Sequence, residues 1–421
     1  MSEFLYQLAM HGFSGIMRLA AMFIPKVKLG VTGREGLLEK LERALPDLIN
    51  NRPVAWFHAA SLGEFEQGRP VMEQFKKDYP DYFILLTFFS PSGYEVRKNY
   101  NGADFICYLP LDTARNAKRF VAVFKPSITF FIKYEFWCNY LAELKRSGSY
   151  IFSFSTIFRP GQIFFKPYGG FYRKMLAFFD HLFVQNEVSL QLMREIGISK
   201  CSLAGDTRFD RVRTIAEGIK NLPEIAAFKQ DKPCLVAGSV WEADMQVLIP
   251  ALNSAGQALK AIIAPHEIDS GHMESWRKLL RGKAMLYSEY KKAYDQQAEI
   301  SAFDYLIIDN IGMLSSLYSY GDMAYIGGAF GSGLHNILEA ATFGVPIIFG
   351  DKKYQKFQEA VDLIAEGSAK AIAGTDEATQ YLSQWVENPE LRGNLGAISE
   401  KYVASRTGAT DMVMQEVRKL L

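Results

Sequence analysis

Short apolar runs alternate with longer amphipathic stretches along most of this chain. From about residue 35 the runs Val54–Ala59, Phe83–Phe88, Phe105–Cys107, Ile128–Ile132, Tyr150–Phe154, His181–Val184 and Cys201–Ala204 are separated by helical patterns around Pro70–Lys77, Ala114–Phe124 and Val188–Ile196. Apolar runs of this kind, without strict alternation, predict strands buried on both faces of a parallel sheet. Residues 206–233 are more polar, carry Pro223 and Pro233, and read as a connection. A second series follows at Cys234–Gly238, Ala261–Ala264, Ala284–Leu286, Tyr305–Ile308, Met323–Ile326 and Pro346–Phe349. The expected architecture is α/β, with two doubly wound domains facing one another across a cleft. In such sheets ligands sit at the carboxyl ends of the strands.

The amino-terminal pattern differs. Phe4 to Ile24 is mostly apolar, and residues 4–34 hold Arg18, Lys26, Lys28 and Arg34 but no acidic residue. Leu5, Leu8, Ile16, Leu19 and Phe23 fit one helical face. An in-plane helix with basic flanks is expected to touch a membrane surface, as against an ordinary helix packed on the domain. No small-residue cleavage site follows, so a removable signal peptide is not expected.

The 421 residues are enough for two full cores, and the net charge of +1 argues against a nucleic-acid binder that relies on a broad basic surface. Aromatic content of 14%, including 31 phenylalanines, points to a greasy partner. Cys107, Cys138, Cys201 and Cys234 show no paired spacing and read as reduced core residues. The six histidines form no HxxxH or HExxH, so no metal is expected.

Candidate chemistry concentrates in Tyr325–Gly350, read as strand, glycine loop, helix, turn, strand. Gly327, Gly328, Gly331 and Gly333 let backbone approach a ligand closely. Asn336 caps the following helix, whose free N–H groups suit a phosphate, and Glu339 one turn in is within reach of a ribose. A tight turn with an Asn336-x-x-Glu339 capping box accounts for the same residues. The spacing is neither GxGxxG nor GxxxxGK[ST]. Two more strand ends deliver similar groups, Ala264-Pro265-His266-Glu267 and Asp309-Asn-Ile-Gly312-Met313-Leu314.

In the first half, Val54–Phe57 runs into His58-Ala-Ala-Ser61-Leu-Gly-Glu64. Glu64 at that strand end is placed as a general base, or else it belongs to a Ser61-x-x-Glu64 capping box. Glu135 follows the strand Ile128–Ile132 at the same kind of edge. Two carboxylates brought close would separate their pKa values and leave one ready as a base. The run Phe152–Phe179 interleaves aromatics with Arg159, Lys166, Arg173 and Lys174. It suits a phosphorylated, acylated molecule, and equally a buried helix pair with solvated cations.

Together these residues resemble the 3-deoxy-D-manno-octulosonic acid (Kdo) transferases of lipopolysaccharide synthesis. The resemblance rests on the basic apolar start, His58-Ala-Ala-Ser-Leu-Gly-Glu64, Glu135-Phe-Trp-Cys-Asn139, Ser155-Thr-Ile-Phe-Arg159, Gly205-Asp-Thr-Arg-Phe-Asp210, Asp309-Asn-Ile-Gly-Met-Leu314 and His335-Asn-Ile-Leu-Glu339. It implies a GT-B fold, with a membrane-associated segment 1–34, an acceptor-binding domain 35–215 and a donor-binding domain 232–421 whose last helix packs back on the first. It implies transfer of Kdo from CMP-Kdo to a lipid A precursor (lipid IVA) at the cytoplasmic face of the inner membrane, without metal or cofactor. It also implies Glu64 as base, Glu135 as a cleft residue, and CMP contacts at Pro265, His266, Gly312, Met313, Leu314, Asn336, Ile337, Leu338 and Glu339. Pro265-His266-Glu267 lacks the arginine usual beside this motif, so positive charge for the phosphate is expected from elsewhere. The remaining readings are another GT-B nucleotide-sugar enzyme, such as a UDP-sugar epimerase or transferase, and a non-catalytic membrane scaffold.

Overall fold

The computed structural model describes residues 3–297 and 303–421. The chain divides into two compact units, Met1–Arg211 with Thr407–Leu421, and Val212–Arg406. Each is built around one parallel sheet of seven strands.

In the first unit the strands are β1 (Val54–Ala59), β2 (Phe83–Phe88), β3 (Phe105–Tyr108), β4 (Ile128–Ile132), β5 (Tyr150–Thr156), β6 (His181–Val184) and β7 (Cys201–Leu203). Their order is β3-β2-β1-β4-β5-β6-β7. Every residue of β1, β2 and β4 is buried, which is why these runs carry no polar alternation. The chain lays down β1 to β3 in one direction and returns to place β4 beside β1, with His58 opposite Phe131. That reversal is the topological switch point, where a crevice opens at the carboxyl ends of an α/β sheet.

The second unit repeats the plan with β8 (Cys234–Val240), β9 (Lys260–Pro265), β10 (Ala284–Leu286), β11 (Tyr305–Ile307), β12 (Met323–Ile326), β13 (Ile347–Gly350) and β14 (Ala369–Ile372). The order is β10-β11-β9-β8-β12-β13-β14, so the switch point lies between β8 and β12. The glycine loop leaves β12 at that point. Strand β14 has no counterpart among the sequence-predicted strands. It is a four-residue edge strand, and Lys370 interrupts its apolar pattern.

The aromatic run 152–179 is largely core rather than binding surface. Phe152, Phe154, Phe158, Phe164 and Phe179 are buried, and Phe158 meets Phe164 edge to face at 5.7 Å. Each such ring contributes roughly 1.5–3 kcal/mol by leaving water. Much of the phenylalanine content is thus spent inside the first unit. The four cysteines are free, and three of them are buried.

The last helix, Ala409–Arg418, belongs to the first unit. Val413, Met414 and Val417 are buried with Phe57, Phe75 and Phe130, and Asp210 accepts from the Gly408 and Thr410 N–H groups at 2.6 and 2.7 Å. The amino-terminal helix Glu3–Ala20 packs on the unit through the buried Met10 and through Phe13, which stacks on Phe89, and it is latched near its start. The Tyr6 hydroxyl donates to the fully buried Asp112 at 2.5 Å, and Asp112 also accepts from the Asn139 and Tyr140 N–H groups. Beyond this latch Leu8, Ile16, Leu19, Met22 and Phe23 are each more than 60% exposed. Among the described residues no helix is long and apolar enough to cross a membrane.

Candidate active site

In the first unit the helix Leu62–Asp78 starts three residues after β1, and Glu64 lies in its first turn. The Ser61 side chain makes no capping bond. The Glu64 carboxylate instead reaches back, and its Oε2 accepts from the Ala60 N–H at 2.6 Å. The reciprocal capping box therefore does not form, and the carboxylate stays at the strand edge. Burial, then the charge of Glu135, push the Glu64 carboxyl up to about 7. The Ala60 and Ser61 N–H groups and the Lys133 cation pull the other way. A carboxyl with its pKa near the working pH is suited to taking and returning a proton.

Glu135 is brought to the same edge because β4 lies beside β1. It is buried, and its Oε2 accepts from the Trp137 indole at 2.7 Å and pairs with His58 Nε2 at 3.1 Å. His58 is fully buried, with Nδ1 at 2.8 Å from the Thr87 hydroxyl, which also accepts from the Trp56 indole at 2.8 Å. An indole N–H can only donate, so the Thr87 hydroxyl accepts from Trp56; it also contacts His58 Nδ1, while His58 Nε2 faces Glu135 and the Trp137 indole. The chain Trp56–Thr87–His58–Glu135 thus satisfies each buried group in turn and fixes the Glu135 carboxylate.

Backbone strain gathers at this edge. Lys133 directly after β4 has φ 69° and Ser155 in β5 has φ 53°, a left-handed conformation uncommon without glycine. Ser155 and Thr207 share a hydroxyl contact at 2.8 Å, and Gln67 of the base-bearing helix donates to Asp206 at 2.6 Å. The segment after β7 is thereby tied to the helix that carries Glu64. Arg159 is exposed, with Nη1 3.4 Å from the Tyr134 hydroxyl.

In the second unit Ser239 has φ 54°, where the pairing of β8 with β9 shifts register. A Cβ on Gly327 would lie 2.2 Å from the Ser239 carbonyl oxygen, so only glycine fits there. Gly328, at φ 94°, donates its N–H to the buried Asp244 at 2.9 Å. Asp244 also accepts from the Tyr325 hydroxyl and the Trp241 N–H, each at 2.8 Å. The Gly331 and Gly333 N–H groups fold back onto the Gly328 carbonyl at 3.0 and 2.9 Å, closing the loop into a compact turn.

His266 stacks between two rings, 4.4 Å from Trp241 and 4.3 Å from His335. Burial and the nearby His266 pull the His335 imidazole down to about 4, so it stays neutral and its Nε2 accepts from the Trp241 indole at 3.1 Å. Glu339 joins two strand-end loops. Its Oε2 accepts from Ser315 at 2.8 Å, its Oε1 from the Asn336 side chain at 3.1 Å. The segments after β11 and after β12 therefore form one surface, and His266 after β9 meets the β12 segment through His335.

Three features differ from the expectation. The helix after the glycine loop spans only Leu338–Ala341, and the one after Gly312 only Leu314–Leu317. Single turns carry little dipole, so phosphate binding there would rest on individual N–H groups. Asn336 does accept from the Leu338 N–H, at 3.3 Å, but Ile337 occupies the cap position. The side chains of Met313, Ile337 and Leu338 are buried, which leaves only backbone to meet a ligand at these positions. Pro265 is half-buried, and His266, Gly312 and Asn336 are exposed.

Sequence reasoning missed Trp241, Asp244, Ser315 and Thr87 as parts of these sites. Trp241, three residues past the predicted strand Cys234–Gly238, was the one available signal. Thr87 and Ser315 act through partners far away in sequence.

Residues 34–211 match the family model described as 3-deoxy-D-manno-octulosonic-acid transferase (kdotransferase). The chain is 29% identical over 370 residues to the 3-deoxy-D-manno-octulosonic acid transferase of Chlamydophila psittaci, covering 82% of this chain and 80% of that one. It is 25% identical over 354 residues to the enzyme of the same name from Aquifex aeolicus, covering 82% and 90%. Among solved structures, the UDP-GlcNAc 2-epimerase from Neisseria meningitidis bound to UDP-GlcNAc superposes with a TM-score of 0.60 at 13% identity, over 87% of this chain and 100% of that one. This likeness concerns the fold, which is GT-B.

Proposed function

We propose that this chain is a member of the 3-deoxy-D-manno-octulosonic acid transferase family, glycosyltransferases of lipopolysaccharide synthesis to which it is similar over most of its length, and that it moves Kdo from CMP-Kdo to a lipid A precursor, lipid IVA, with Glu64 as the base. The observation that carries this reading is the Glu64 carboxyl, held at the edge of the first sheet and raised to about 7. At neutral pH a large fraction is ionised, yet the group is far more basic than an ordinary carboxylate.

The steps balance as one displacement. The acceptor hydroxyl oxygen bonds to the anomeric carbon of Kdo while its proton passes to Glu64. The bond from that carbon to the phosphate oxygen breaks on the opposite face, CMP departs with the electron pair, and configuration inverts. The sugar carries oxocarbenium-like positive charge in the transition state, and the phosphate gathers negative charge. Glu135, fixed by His58 and Trp137, acts on Glu64 through its charge. The Pro265–His266 segment, the Gly312–Leu314 turn and the Asn336–Glu339 turn hold the nucleotide, with Glu339 on the ribose. The reaction as written uses no metal or cofactor.

The exposed apolar residues of the amino-terminal helix, with Arg18, Lys26 and Lys28, support attachment to the cytoplasmic face of the inner membrane, where the acceptor's acyl chains remain. The test is transfer from CMP-Kdo to lipid IVA by wild type beside Glu64→Gln. Product with wild type and a fall of about 10²–10⁴-fold in the variant are expected. Near-full turnover by the variant would remove Glu64 as base. Binding of UDP in preference to CMP would move the donor to another sugar nucleotide.

A further inference from the structure

The leaving group in the proposed reaction is a phosphate monoester, and stabilising it calls for positive charge at the carboxyl edge of the second sheet. The strand-to-helix segments along that edge are short: Trp241 after β8, residues 266–269 after β9, 308–313 after β11, 327–337 after β12, 351–357 after β13 and 373–374 after β14. The strand β10 runs straight into a helix at Tyr287. Lysine and arginine occur in one of these segments alone, as Lys352, Lys353 and Lys356 after β13. The histidine of the glycine segment does not substitute, because His335 stays neutral as an acceptor from Trp241.

The segment after β13 is laced to the glycine loop. β13 pairs directly with β12, Tyr325 standing opposite Ile348. The Leu334 N–H donates to the Lys353 carbonyl at 3.4 Å. A Cβ on Gly350 would come within 2.8 Å of the Phe330 ring, so that residue of the loop seats against the strand end. The Lys352 ammonium lies 5.6 Å from the centre of the same ring. Both lysines are exposed, with their charges available to solvent. A second observation points the same way: Asp351 Oδ1 is buried and has no hydrogen-bond partner among the described residues. A buried acceptor left unpaired is destabilising, and a ligand hydroxyl would relieve it.

We propose that Asp351-Lys352-Lys353 is a subsite for the sugar nucleotide, the two lysines neutralising its phosphate and the free Asp351 oxygen accepting from a hydroxyl of the nucleotide. The subsite rests on the CMP-sugar reading above. It places the phosphate between the glycine loop and the end of β13. The cation is a flexible ammonium, a point charge that can follow the phosphate as it departs.

The experiment is calorimetric titration of the full chain with CMP and, separately, with cytidine. Lys352→Ala/Lys353→Ala is expected to weaken CMP binding about ten-fold or more, the loss typical of a charge-assisted contact, and to leave cytidine affinity unchanged. Retained cytidine binding also shows that the variant folds, and Lys352→Gln/Lys353→Gln repeats the test with the side-chain bulk kept. Unchanged CMP affinity, or an equal fall for both ligands, would overturn the phosphate role while leaving the donor reading intact. Failure of wild type to bind CMP would remove the donor reading and the subsite together. Asp351→Ala is expected to weaken both ligands. If CMP then binds as well or better, the carboxylate only repels phosphate and its role as acceptor is lost.

Discussion

The charge of Glu135 raises the pKa of Glu64, although one lies in the first turn of the helix after β1 and the other on the loop after β4. They meet because β1 and β4 are neighbours in the sheet and both segments leave at its carboxyl edge. Burial is the larger cause of the shift, and Glu135 adds to it. One carboxylate is locked by an indole and an imidazole, and the other is left to take a proton.

The pH profile of transfer should report this group. A base must be ionised in the free enzyme, so kcat/KM is expected to fall tenfold per pH unit on the acid side, with an apparent pKa near 7. Glu135→Gln removes the like charge and should move that limb to lower pH. A limb that stays in place would show that burial alone sets it.

Stability should move oppositely to activity. The folded-state pKa of Glu64 lies above its ordinary 4.5, so the native state prefers the protonated form. Its favourable contribution is complete below pH 4.5 and is lost as pH rises through about 7. Glu64→Gln keeps the acceptor for the Ala60 N–H and has no charge to bury. At pH 8 it is expected to stabilise the first unit by roughly 1–2 kcal/mol, discounted for partial exposure, and at pH 5 by much less. Denaturant midpoints of both proteins at the two pH values decide this. A variant less stable at pH 8 would contradict it.

Gly327→Ala tests the glycine loop. The new methyl would meet the Ser239 carbonyl at 2.2 Å, backbone against backbone, so the loop must shift. A cost of about 1–3 kcal/mol and a loss of CMP affinity are expected, read by thermal melting and calorimetry. Gly331→Ala, where a Cβ meets nothing within 4 Å, is the control and should bind normally.

The amino-terminal helix is tested by Leu8→Glu/Ile16→Glu/Leu19→Glu. These side chains are exposed, so folding should be untouched. Co-sedimentation with anionic phospholipid vesicles is expected for wild type and to fall sharply in the triple variant. Equal sedimentation of both would place membrane contact elsewhere or nowhere.

Much of the architecture was legible because it depends on local pattern. Runs such as Val54–Ala59 and Met323–Ile326 coincide with β1 and β12, since a strand covered on both faces must be apolar throughout. Edge strand β14, with Lys370 in its middle, carried no such signal. The run 152–179 left two readings open for a related reason: aromatics look alike whether they line a surface or fill a core, and the structure buries most of them.

The sequence by itself determined two parallel sheets, the strand ends that bear Glu64, Glu135, His266 and Glu339, and the glycines at 327 and 328. These follow from periodicity and from backbone geometry within a few residues. Only the tertiary structure decided that Glu64 is half-buried beside Glu135 while Ser61 makes no capping bond, that His58 sits between Thr87 and Glu135, and that Ser315 holds Glu339. Strand order sets which loops become neighbours, and desolvation depends on everything packed around a group. Neither quantity is local, so neither is written in the spacing of residues along the chain.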